Sequence, residues 1–147
     1  MERRMRLDTV APDAMKAMLE LENYVRRTVD KTLLGLIKLR ASVLNGCAYC
    51  VDMHTTDALH EGEHARRLFA VSAWRESPFF SAKERTALAL TDAVTKLGET
   101  GVPDALWNEA KGAWSEKELG DVLMAIVTIN AWNRIAVTTH AQPPPLK

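Results

Sequence analysis

Leu39-Arg40-Ala41-Ser42-Val43-Leu44-Asn45-Gly46-Cys47-Ala48-Tyr49-Cys50-Val51-Asp52-Met53-His54 is the stretch on which the architecture turns. An apolar helical run ends at Asn45-Gly46, which supplies the stop of a tight reversal, and Cys47 opens a new element. Upstream, Asp30 is placed to cap the helix that carries Leu33, Leu34, Leu36, Ile37 and Leu39 to about Leu44. Downstream, the next helix is predicted from about Ala48 to Glu61 with Gly62 as its terminator, and a further one from about Glu63 to Trp74.

The rest of the chain continues the pattern. Pro12 opens a first helix whose Met15, Met18, Leu19, Leu21 and Val25 fall on a helical period. Ser81 and Glu84 have the spacing of a capping box ahead of a helix reaching about Leu97, and Pro103 opens a short one. Ser115 and Glu118 repeat the box before a long helix that is apolar almost all round, through Leu119, Val122, Ile126, Ile129, Trp132 and Val137. No run alternates like a strand, so the expectation is an all-α fold of about seven helices. The end, Gln142-Pro143-Pro144-Pro145-Leu146-Lys147, cannot continue a helix and is expected as an extended tail.

Size and charge exclude several classes. A chain of 147 residues fits a single domain, 1–147, with one sizeable core. Lysine plus arginine and aspartate plus glutamate each number 19, so no net field favours nucleic acid or a membrane surface as partner. The N-terminus lacks an apolar stretch of secretory length, and the longest uninterrupted apolar run, Val122 to Val127, is far short of the ~18 residues of a span. A soluble, cytoplasmic protein is expected. The only two cysteines lie three apart, and in a reducing compartment such a pair is more often catalytic or metal-binding than a staple.

At about 100° per residue, Cys47, Cys50 and His54 share one helix face. The first turn of a helix has free N–H groups and a positive dipole end, which favour thiolate over thiol. His54 can shuttle a proton near neutrality, and Asp57 is a candidate to orient it. The set suits a thiolate that attacks electrophilic oxygen or sulfur, giving a sulfenic acid or mixed disulfide that the second thiol resolves as a Cys47–Cys50 disulfide.

Competing readings use the same residues. Cys47, Cys50 and His54 with His60, His64 or His140 could ligate zinc, although no second close ligand pair sits at the usual spacing. His60-Glu61-Gly62-Glu63-His64 matches HExxH, but a helix ending at Gly62 breaks the common face that motif needs. No metal ligand and no cofactor are therefore assigned. Among the four tryptophans, Trp74 precedes a helix-to-loop junction from which its ring could reach the thiols. Asn130, Asn133 and Arg134, on an apolar helix, need interhelical or intersubunit partners.

The stretch Leu39 to His54 strongly resembles the AhpD-like branch of the carboxymuconolactone decarboxylase family, and so do 73–77, 81–97 and Ile129 to Arg134. Together these cover a core of about 33–137. The resemblance implies an AhpD-like helical domain assembled as a homo-trimer or homo-hexamer, and a peroxidase recharged by a dithiol such as a lipoyl-bearing protein. It also implies the roles: Cys50 attacks the hydroperoxide, Cys47 resolves, and His54 belongs to the proton relay. Two positions depart from the branch. The glutamate expected twelve residues before the first cysteine is Gly35, and Tyr49 stands where some relays have histidine. Asp52, Asp57 and Glu61 are candidates to replace the missing carboxylate. The expected function is thus a thiol-dependent peroxidase; the alternatives are a redox-sensing or regulatory oligomer with little turnover and a zinc-stabilised helical binding module.

Overall fold

The computed structural model describes residues 1–146; Lys147, the end of the expected tail, lies outside the described residues. Among the described residues there are eight α-helices and no strand: α1 Leu7–Val10, α2 Pro12–Thr28, α3 Lys31–Leu44, α4 Ala48–His60, α5 Ala65–Ala70, α6 Ala82–Thr95, α7 Asp104–Ala113 and α8 Glu116–Thr139. The eighth is the single turn α1, too short to show a period in sequence. Residues 142–146 are non-helical.

The predicted caps form. The Asp30 side chain accepts from the Leu33 amide at 2.9 Å, and Ser81 with Glu84 and Ser115 with Glu118 make complete reciprocal capping boxes. One helix differs from expectation: Glu63 to Trp74 resolves into α5 and a 3-10 turn, Val71–Ala73. His64 caps α5 through Nδ1, which accepts from the Arg66 amide at 3.1 Å. At the other end, arginines take the carbonyls that a longer helix would need. Arg40 donates to Val71 and Ser72, and Arg85 donates to Trp74, Arg75 and Ser77.

Helix α3 is the axis of the molecule, packed against α4, α6 and α8. Its Leu34, Ile37 and Ala41 enter a core with Val25, Leu90, Val122, Ile126 and Ile129. Its Leu36 and Leu39 enter a second core with Leu68, Val71, Trp74, Phe80 and Leu88. A helix buried on two sides reads as nearly continuous apolar sequence, which is what Leu33 to Leu39 is apart from Gly35 and Lys38. By length and hydropathy α8 is also apolar enough to cross a membrane, and half of that segment is buried inside the domain.

Candidate active site

The turn before Cys47 is held from three directions. Gly46 adopts φ +64°, a left-handed conformation that suits glycine. The Cys47 amide bonds back to the Ser42 carbonyl at 3.0 Å and the Gly46 amide to Val43 at 3.2 Å, the paired bonds of a Schellman ending. The Asn45 side chain then donates to both Asn130 and Asn133 on α8, at 3.0 and 2.9 Å. Asn133 donates to Ser42 and Asn130 to Thr95, at 3.0 and 2.9 Å. The asparagines of α8 are thus interhelical ties that aim the α3–α4 turn, and Arg134 donates to Asn130 from the next turn.

Cys47 is the N-cap of α4, where its sulfur accepts from the Cys50 amide at 3.3 Å. The two cysteines are joined as a disulfide with 5.3 Å between Cα atoms, so the structure is that of the oxidised pair. Both are buried, at 2% exposure, beside Ala136 of α8. Their surroundings differ. Cys50 borders a cavity of about 360 Å³, together with His54, Tyr49, Met53, Glu22 and Trp132, whereas Cys47 lies behind it. His54 is buried on the same helix one turn on and also borders a second cavity, of about 180 Å³, beside Gly35, Lys38, Asp57 and Glu61.

Burial, followed by the nearby Lys38 ammonium, pushes the His54 pKa down to about 4. The unfolded chain takes up the imidazole proton near pH 6.5 while the folded chain resists it until about 4, so the unfolded state binds more protons between those values. The contribution is complete above the unfolded value and is lost as pH falls toward 4, on the order of 3 kcal/mol in all. Urea unfolding of the oxidised protein at pH 7 and pH 4.5 measures this, and His54→Asn should flatten the difference.

The charged partner of this site is Glu22 on α2. Its Oε1 accepts from the Lys38 ammonium, and from Arg26 at 2.7 Å. Its Oε2 accepts from Trp132 Nε1 at 3.2 Å. Burial alone would raise the Glu22 pKa, but Lys38 and then Arg26 bring it below the ordinary carboxylate value. Burial lowers that of Lys38, and Glu22 opposes the shift. The pair is ionised and almost without solvent.

Several expected residues fall elsewhere. Asp57 and Glu61 are exposed and border the second cavity, and neither bonds to His54. Trp74 does not reach the thiols: it is buried in the second core and donates to Asp92 at 3.2 Å, so that Trp132 is the indole of the Cys50 cavity. His60 ends α4 and His64 caps α5, across Gly62 at φ +90°, so the HExxH histidines share no helix face. Among the described residues no three His, Cys, Asp or Glu side chains are grouped to hold a metal ion.

The carboxymuconolactone decarboxylase family model matches residues 12–93, which contain both cysteines, His54, Glu22 and Lys38. The chain belongs to the carboxymuconolactone decarboxylase family. Among curated proteins it is similar to the uncharacterized protein YdfG of Bacillus subtilis, 38% identical over 93% of this chain and 94% of that one. Among solved structures it is similar to a protein of unknown function from Agrobacterium tumefaciens for which an AhpD antioxidant-defence role has been suggested. That likeness has a TM-score of 0.95 and 42% identity over 99% of this chain and 100% of the other. The debrominase Bmp8 has the same fold, with TM-score 0.80 and 20% identity over 90% of this chain and 72% of that one. The chain is an AhpD-like member of the carboxymuconolactone decarboxylase family.

As an AhpD-like carboxymuconolactone decarboxylase family member, the protein carries its buried carboxylate on α2 and not at position 35 of α3. Glu22 lies outside the α3–α4 stretch that carries the dithiol pattern, and its part in the site comes from tertiary contacts. The sequence does carry a signal: Glu22 lies on the inward stripe of α2 with Met15, Met18 and Val25, and Lys38 interrupts the apolar run of α3. Charged residues inside a buried face must pair or lose their charge.

Proposed function

We propose that the protein is a thiol-dependent peroxidase that reduces hydroperoxides through a Cys47–Cys50 dithiol/disulfide cycle. The observation that carries this reading is that Cys50, and not Cys47, borders the cavity beside His54. The Agrobacterium relative, through its suggested antioxidant role, supports a hydroperoxide as oxidant.

In the reduced enzyme the Cys50 thiol gives its proton to the neutral imidazole of His54. The thiolate attacks the terminal oxygen of the hydroperoxide: an S–O bond forms, the O–O bond breaks, and the leaving alkoxide takes the proton from His54. Cys47 then attacks the sulfenic sulfur, forming the S–S bond and releasing water. Two thiols and one hydroperoxide become a disulfide, an alcohol and water. An external dithiol, such as that of a lipoyl-bearing protein, restores the pair by two exchange steps. A homo-trimer or homo-hexamer is the expected assembly.

The test is a titration. Reduced protein freed of reductant and given one equivalent of cumene hydroperoxide should lose both thiols, form the Cys47–Cys50 disulfide and release one equivalent of cumyl alcohol. Surviving thiols would end the peroxidase reading. Stoichiometric oxidation without repeated turnover on dihydrolipoamide would instead favour the redox-sensing oligomer, the reading that Gly35 in place of the branch's glutamate supports.

A further inference from the structure

The Glu22 carboxylate presents four lone-pair positions, and the protein fills three of them. Lys38 from α3 and Arg26 from α2 occupy Oε1, and Trp132 from α8 takes one place on Oε2. Three donors from three helices leave this group little freedom to turn. What remains of its surface opens on the cavity that Cys50 and His54 border, which Met15, Leu19, Met53 and Ile135 line with apolar surface and to which Arg3, Tyr49 and Gln142 add polar groups. An acceptor in an apolar pocket selects for a ligand that brings a donor.

His54 is also open there. Neither of its ring nitrogens bonds to a described residue, yet no fully buried side-chain nitrogen or oxygen among the described residues lacks a partner, so both nitrogens have access to space. The polar and charged groups lining the two cavities that the imidazole borders include Glu22 and Arg26 from α2, Lys31 and Lys38 from α3, Cys50 and Asp57 from α4, Glu61 at the end of that helix, and Arg3 from the N-terminal segment; α8 contributes no charge.

We propose that Glu22 is a substrate-binding residue whose free lone pair accepts the O–H of the hydroperoxide and holds its terminal oxygen over Cys50. This rests on the peroxidase reading and narrows it. The oxygen that thiolate attacks is the one that bears the hydrogen, so a fixed acceptor beside Cys50 orients the reacting atom. Lys38 and Arg26 offset the charge of Glu22, which would otherwise oppose a thiolate in the same cavity. The substrate class is then an organic hydroperoxide with an apolar body, and oxidants without an O–H donor gain nothing from the site.

The experiment compares two electrophiles on the reduced protein: cumene hydroperoxide, which has the donor, and methyl methanethiosulfonate, which has none. The variants are E22M/K38M, which removes acceptor and charge together, and E22Q/K38M, which keeps an acceptor oxygen. For E22M/K38M the hydroperoxide rate should fall about 10- to 100-fold, while the thiosulfonate rate stays within about threefold of wild type. E22Q/K38M should recover most of the loss. Equal changes with both electrophiles, or none with either, would reduce Glu22 to a structural tie and overturn the proposal, as would a glutamine variant no better than the methionine one. Wild-type protein that reacts with the thiosulfonate but not with the hydroperoxide would overturn the peroxidase reading itself and this inference with it.

Discussion

Cys50→Ser is expected to stop hydroperoxide turnover, a loss on the order of 10³-fold or more, while Cys47→Ser still consumes one equivalent and then halts. The asymmetry comes from position. Cys50 borders the 360 Å³ cavity with His54, whereas Cys47 lies behind it as the helix cap. Serine at 50 keeps the shape of the site and removes the cysteine sulfur that borders the cavity. Serine at 47 keeps the attacking thiol and removes its resolving partner, so the sulfenic acid should accumulate and be trapped by dimedone. Coupled consumption of cumene hydroperoxide measures the first effect and mass spectrometry of the trapped adduct the second. Equal loss in both variants, with no adduct, would reject the division of labour.

The second large effect is on stability. Glu22→Met should cost about 3–5 kcal/mol, because it strands the Lys38 ammonium in the interior without its partner. The Lys38 side chain is 4% exposed and that of Glu22 11%, so solvent is a poor substitute for either partner. Lys38→Met should cost less, since Glu22 keeps Arg26 and Trp132. Removing both charges together should return the protein to within about 1–2 kcal/mol of wild type, because neither ion is then left unpaired. For a chain of this length the glutamate variant should melt about 10 °C lower. Chemical denaturation of the two single variants and the double completes a thermodynamic cycle. A glutamate variant as stable as wild type would mean that the pair is not the buried tie described above.

The position where an AhpD-like carboxylate is expected is Gly35, and a Cβ built there meets no atom within 4 Å, so the space beside His54 stays open. The buried carboxylate near the imidazole is Glu22 of α2.

Local chemistry accounts for what could be read without the fold. The helix ends are written in short-range contacts: Asp30 to Leu33, Ser81 with Glu84, Ser115 with Glu118, and Gly46 with its positive φ. The proximity of Cys47, Cys50 and His54 is a matter of helical pitch, and their family pattern sits in one continuous stretch. Contacts between distant parts of the chain were settled only in three dimensions. Glu22 meets Lys38 across 16 positions and Trp132 across 110, and Asn45 meets Asn133 across 88. No period or motif encodes such pairs, because they depend on how α2, α3 and α8 cross. The same crossing decided that the indole of the Cys50 cavity is Trp132 and not Trp74, and that of two equally buried cysteines it is Cys50 that borders the cavity.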